Sequence, residues 1–219
     1  MALTKPYATR KFILYEGDKL QTKVSFVVEL CDKYTGKFPD SRLYVRLKNN
    51  RTIKPIINPS GYYCFVNLPP ADYQVVVEPD IAKQNWYLKE EASIDIRAND
   101  FNPAQDILKF ILSPRTAYPF PGNATLIMGV VQSPAVNNQN PIPIEEAQIV
   151  ASGKNKELFN TRTDENGGYA IFFNNVPNYK IKITARKRIN GNEIVRTRSG
   201  IKVIEGEIAS VNILNFVIP

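Results

Sequence analysis

Apolar and polar positions alternate with a period of two through much of the chain. Leu43-Tyr44-Val45-Arg46-Leu47 places Leu43, Val45 and Leu47 on one face and Tyr44 and Arg46 on the other, and Lys180-Ile181-Lys182-Ile183 turns its lysines to solvent. Thr22–Leu30 and Ala124–Val131 read as strands. Helical periodicity is nearly absent, and sixteen prolines interrupt the chain too often for long helices. Short strands separated by turn residues predict an all-β protein built of sandwiches.

The pattern occurs twice. Gly61-Tyr62-Tyr63-Cys64-Phe65, the corner Leu68-Pro69-Pro70 and the strand Tyr73–Val77 correspond to Gly167-Gly168-Tyr169-Ala170-Ile171, Val176-Pro177 and Tyr179–Ile183. Ile107–Leu112 resembles Ile213–Ile218, and a proline corner marks a strand end because it lacks a donor. Internal repetition sets architecture before any single residue does. It predicts an N-terminal arm over 1–12, a first β-sandwich over 13–114, a semi-rigid Pro-rich linker over 115–123 and a second sandwich over 124–219. Asn58-Pro59-Ser60-Gly61 and Asn166-Gly167-Gly168 supply the turns, and Asn190-Gly191 marks a two-residue hairpin. The segment 80–104, with Trp86 and Tyr87, departs furthest from the repeat and is expected to form a loop or short helical turn.

Composition narrows the chemistry. The 219 residues include no histidine, which removes Ser-His-Asp and Cys-His catalysis and the common zinc-hydrolase ligand sets. The acidic pairs Glu90-Glu91, Glu145-Glu146 and Asp164-Glu165 are sequence neighbours, which point to opposite faces of a strand and make poor dyads. Asp164-Glu165-Asn166 offers oxygens to a hard cation, but the matching turn at Asn58 has no carboxylate, so turn geometry is the shared feature. No catalytic residue, metal or cofactor is expected. Cys31 and Cys64 read either as a disulfide tying two strands of the first sandwich or, the favoured reading, as small buried thiols of a reducing compartment, and the sequons at Asn50 and Asn123 as chance.

The formal net charge of +7 divides as +3 over 1–114 and +4 over 115–219, a solubilising surplus with no groove-reading helix for nucleic acid. Its densest part is Arg186-Lys187-Arg188 with Arg196, Arg198 and Lys202, read either as a solvated hairpin or as an interface to an acidic partner. Trp86, Tyr87, Tyr118 and Phe120 join Arg186, Lys187, Arg188, Arg196 and Arg198 as the candidate protein interface. Tyr62, Tyr63, Phe65, Tyr169, Phe172 and Phe173 read as core rather than as a sugar-stacking platform.

Asp164-Glu165-Asn166-Gly167-Gly168-Tyr169, followed by Val176-Pro177-Asn178-Tyr179, resembles the D-x-x-G-x-[FY] turn and corner strand of the carboxypeptidase regulatory-like domain, a transthyretin-like Greek-key sandwich. Val130-Val131, Pro143 and Ala147–Val150 resemble its earlier strands, and the first half matches more weakly through Gly61-Tyr62, Leu68-Pro69 and Tyr73. Asp72 and Asn178 stand where that family carries glycine. The resemblance implies two tandem non-catalytic transthyretin-like or Ig-like modules. The expected function is a structural or adaptor subunit that docks with other protein subunits. The expected setting is a cytoplasmically assembled, phage-tail-like contractile particle, with no nucleic acid or membrane as partner. The alternative is an extracellular carbohydrate-binding or adhesin module.

Overall fold

The computed structural model describes residues 22–80, 82–97, 101–103, 106–134, 140–213 and 216. The arm over 1–12 lies outside these residues. The fold is all-β, with no helix among the described residues.

The first half folds as β1 (Val24–Asp32), β2 (Leu43–Leu47), β3 (Ile56–Ile57), β4 (Tyr63–Val66), β5 (Asp72–Pro79), β6 (Glu90–Asp95) and β7 (Leu108–Leu112). The second follows with β8 (Leu126–Val130), β9 (Gln148–Gly153), β10 (Lys156–Arg162), β11 (Gly168–Phe172), β12 (Ile181–Ile189), β13 (Asn192–Ile201) and β14 (Ile208–Ser210). Sheet orders are β3-β4-β1-β7 and β2-β5-β6 in the first half, and β11-β8-β14 and β10-β9-β12-β13 in the second. Six strands of each half therefore pair alike, and in each the first strand runs parallel to the last. The third strand differs: β3 joins β4, whereas β10 joins β9.

Alternation sets the burial. Phe26, Val28 and Leu30 of β1 meet Leu43, Val45 and Leu47 of β2 in one core, where the Phe26 and Phe65 rings stack at 4.7 Å. A separate core gathers Ile127, Ile149, Tyr169, Ile171, Ile181 and Ile183. Removing such side chains from water supplies the main driving force, about 1.5–3 kcal/mol for each large residue.

The turn before the aromatic strand is built the same way in both halves. Gly61 (φ +87°) donates to the Asn58 carbonyl, and the Asn58 side chain accepts the Tyr62 N–H at 2.9 Å. Gly167 (φ +71°) donates to the Asp164 carbonyl, and the Asp164 carboxylate accepts the Gly168 N–H at 2.8 Å. A Cβ on Gly167 would lie 2.4 Å from the Val131 carbonyl oxygen, so this position needs glycine on two counts. The first half has a tyrosine corner, where Tyr73 donates its hydroxyl to the Pro69 carbonyl at 2.8 Å.

Three expectations are corrected. The segment 80–104 contains strand β6, which pairs with the whole of Asp72–Val77, because alternating Ala92 and Ile94 cover the core from an edge. Ile213 pairs with Val131, the place where Phe110 pairs with Leu30, so the last strands align three residues away from the sequence match. Leu214, Asn215, Val217 and Ile218 of that match lie outside the described residues. Cys31 and Cys64 are unpaired thiols, half-buried rather than buried; Cys64 stands opposite Val27, four residues short of Cys31.

Candidate interaction surfaces

The β12–β13 hairpin turns at Asn190 (φ +50°) and Gly191 (φ +83°), the two positive values a two-residue turn requires. Between Lys180 and Lys202 stand eight lysines and arginines and one carboxylate, Glu193; the rest of the chain carries twenty of each sign. The whole net charge thus sits on one hairpin and its flanks. Dividing the chain at its midpoint spreads this surplus over both halves and hides it; a window the width of a hairpin would have revealed it.

Register separates the candidate cations by face. Arg196 and Arg198 stand opposite Ala185 and Ile183, so they lie on the core side of edge strand β13. Arg198 donates to the Asn212 carbonyl at 3.3 Å, bridging to the opposite sheet, and Arg196 donates to the Val195 carbonyl. Inward-pointing charge of this kind shields a strand edge from unwanted pairing. Arg186 and Arg188 point outward with Lys182, while Lys187, opposite Ile194, lies half-exposed at the hairpin's end. None of Arg186, Lys187 and Arg188 forms an ion pair with a described carboxylate. Around Lys182, Arg186 and Arg188 the outer face of β12 and β13 carries Thr197, Val195, the buried Thr184 and, opposite Arg188, Glu193, and no aromatic side chain.

The aromatic candidates occupy a different place. Tyr118 gathers Tyr34, Trp86, Tyr87 and Phe120 around it, with ring centroids 4.6–6.3 Å apart. Tyr34 continues the cluster to Phe172 of the second half at 5.0 Å, and Phe159 packs on Phe172 at 4.7 Å. Tyr87 is 1% exposed, so it contacts its own chain and not an outside partner. Trp86, Tyr118 and Phe120 are half-buried in the same junction. Tyr63, Phe65, Tyr169 and Phe172 are buried, and Tyr62 and Phe173 are half-buried.

Polar groups fasten this junction. Asp32, buried at the end of β1, accepts the hydroxyls of Tyr87 (2.9 Å) and Tyr118 (2.6 Å) and the N–H of Tyr34 (2.7 Å). Burial pushes both tyrosine hydroxyls well above their ordinary range, and the Asp32 carboxylate adds to the effect. Arg115 donates to Asn85 (2.6 Å) and Glu165 (2.5 Å) and lies 3.3 Å from Asp164. Burial raises the Glu165 carboxyl, but the Arg115 hydrogen bond and charge and a backbone N–H together hold it below the ordinary value. The Asp164 side chain already accepts the N–H groups of Asn166 and Gly168 and faces Arg115, so its oxygens serve the turn.

Arg162 spans Glu146 (2.9 Å) in its own half and Glu90 (2.7 Å) in the other. Burial dominates at Glu90 and raises its carboxyl despite the Arg162 charge. Lys33 donates to the Asn160 carbonyl at 2.5 Å with its ammonium 4.5 Å from the Phe159 ring centre, and burial lowers its pKa.

No family model matches the chain, and no curated protein matches it in sequence. Among solved structures it is similar to the TIE protein of Bacillus anthracis, at 15% identity and a TM-score of 0.30 over 86% of this chain, and it spans 33% of that protein's length. It is also similar to GBS52, the minor pilin of the gram-positive pathogen Streptococcus agalactiae, at 9% identity and a TM-score of 0.29, covering 89% of this chain and 97% of that one.

Proposed function

We propose that the chain is a non-catalytic structural subunit that docks, through the outer face of its β12–β13 hairpin, onto an acidic surface of another protein in a larger assembly. The observation that carries this reading is the placement of the surplus charge on one hairpin and its flanks, with Arg186 and Arg188 of the outer face forming no ion pair with a described carboxylate. Unpaired arginines on a flat strand face meet carboxylates bidentately and act as interface hot spots. Nucleic acid is a poorer fit, because single strands are held by stacking on aromatic side chains and this face has none. The aromatic strands of the two repeats offer no sugar-stacking platform, because Tyr63, Phe65, Tyr169 and Phe172 are buried. The motif resemblance to carboxypeptidase regulatory-like domains supports a module without a reactive centre. The unpaired thiols suit a reducing compartment, and the setting we propose is a particle assembled in the cytoplasm, of the phage-tail-like contractile kind.

The test is the size of the tagged chain in its own cells. The native chain should run in a particle far larger than 24.8 kDa that survives nuclease treatment and comes apart in high salt. The R186E/R188E variant should run as the free chain with an unchanged circular dichroism spectrum. A native chain that runs alone, or a particle dissolved by nuclease, sinks the proposal.

A further inference from the structure

The two halves differ in one strand, and the difference leaves a vacancy. In the second half β9 is flanked by β12 on one side and β10 on the other. Among the described strands its counterpart β2 pairs with β5 alone, because the chain beyond it crosses to the other sheet and forms β3 beside β4. Asp80 N–H donates to Arg42 O and Lys48 N–H to Gln74 O, so the even-numbered residues of β2 carry the bonds to β5. In an antiparallel pair the alternate residues face the other way, so the N–H and C=O groups of Leu43, Val45 and Leu47 point at the open edge. No described strand pairs with that edge.

A cleft of about 490 Å³ runs along it. Val45, Ile53, Pro55, Ile57 and Tyr63 give it an apolar lining, and Ile57 is 60% exposed on the two-residue strand at its far side. Arg51 and Lys54 stand at the cleft and form no ion pair with a described carboxylate; Glu78, also in the lining, is held by Arg46 at 2.7 Å and feels the Arg51 charge as well. Backbone groups without a described partner, an apolar lining and cations outnumbering carboxylates are three elements by which a sheet edge receives an extended chain.

We propose that the cleft between β2 and β3 is a strand-addition site for an extended segment of a partner protein that alternates large apolar residues with polar ones and carries carboxylates facing Arg51 and Lys54. The added strand takes the place beside β2 that β10 fills beside β9. This rests on the reading of the chain as a docking subunit, but it uses the other half of the molecule from the cationic hairpin.

The probe is a phage-displayed library of random decapeptides selected on the full chain. Enriched peptides should alternate large apolar and polar residues over about five positions, the length of β2, and carry Asp or Glu. A synthetic copy should slow amide exchange at Leu43, Val45 and Leu47, which packing by side chains alone would not do. Its affinity should fall at least tenfold with Ile57→Glu and with R51E/K54E, and stay unchanged with Ile208→Glu on the distant strand β14. Ile57 and Ile208 are exposed, so neither glutamate disturbs a core. The idea fails if nothing is enriched beyond an Ile57→Glu bait, if the enriched peptides lack acidic residues, or if Val45 exchange is unmoved. It fails equally if the chain forms a dimer that Ile57→Glu dissociates, since the occupant would then be a second copy. Each of these failures leaves the hairpin test in cells standing.

Discussion

Asp32 shows how one side chain ties several elements together. It ends a strand, caps the Tyr34 turn and holds two tyrosine hydroxyls, one of them fully enclosed. Replacing it with alanine takes away the carboxylate that accepts the buried Tyr87 hydroxyl, and a buried hydroxyl left unsatisfied costs about 1–3 kcal/mol. We expect Asp32→Ala to lower stability by about 3 kcal/mol in urea unfolding. Trp86, the chain's single tryptophan, lies 6.3 Å from the Tyr118 ring and reports the change by fluorescence. An unaltered midpoint would mean that the two tyrosines find another acceptor. The Asn58 and Asp164 turns carry a related lesson: amide and carboxylate accept the same backbone N–H, so the carboxylate at 164 is not needed for the turn itself. What it adds is the contact with Arg115.

At the level of elements, the all-β class was legible because alternation and proline spacing are local properties. The Asn190-Gly191 turn was legible for the same reason, since its two positive φ values are demanded by the residues themselves. The side on which the third strand pairs was not legible: β3 and β10 choose between two sheets, and that choice is made by distant competitors rather than by their own residues. Strand β6 was hidden because Glu90, Glu91 and Asp95 break its apolar run, though alternation survives in Ala92 and Ile94. Of the candidate site residues, the five cations did come together on one hairpin, but only the ladder register divides them between two faces. Strand β6 also yields a pH prediction. Glu91 meets Lys48 and Lys89, both at 2.7 Å, and hydrogen bonds from these lysines hold its carboxyl at about 2 instead of 4.5. A depressed carboxyl stabilises the fold above the unfolded value and loses that contribution as pH falls from about 4.5 toward 2. The group is about a third exposed, so Glu91→Gln should cost less than about 1 kcal/mol at pH 7 and only a small part of that at pH 2, where the carboxyl is half protonated in the fold. Unfolding curves at the two pH values give the comparison, and an equal effect at both would rule out the ionic origin.

For the whole molecule, the two cores are coupled by a junction of aromatic rings and ion pairs. Arg115 is its centre, since it alone touches Asn85 on one side and Asp164 and Glu165 on the other. We expect Arg115→Ala to cost about 3 kcal/mol by removing a buried cation from two carboxylates. Its distinguishing effect is on shape: the variant's small-angle scattering should show a larger radius of gyration, while far-ultraviolet circular dichroism stays the same. A variant as compact as the parent would assign the coupling to the aromatic cluster and Arg162 instead.

The parallel pairing of first with last strand has a mechanical consequence. Because β1 and β7 run the same way, their outer ends lie at opposite poles of the sandwich, and β8 and β14 repeat the arrangement. Tension entering at β1 and leaving at β7 is directed along the strands, so Val28–Asp32 and Leu108–Leu112 bear the load together in shear instead of opening one rung at a time.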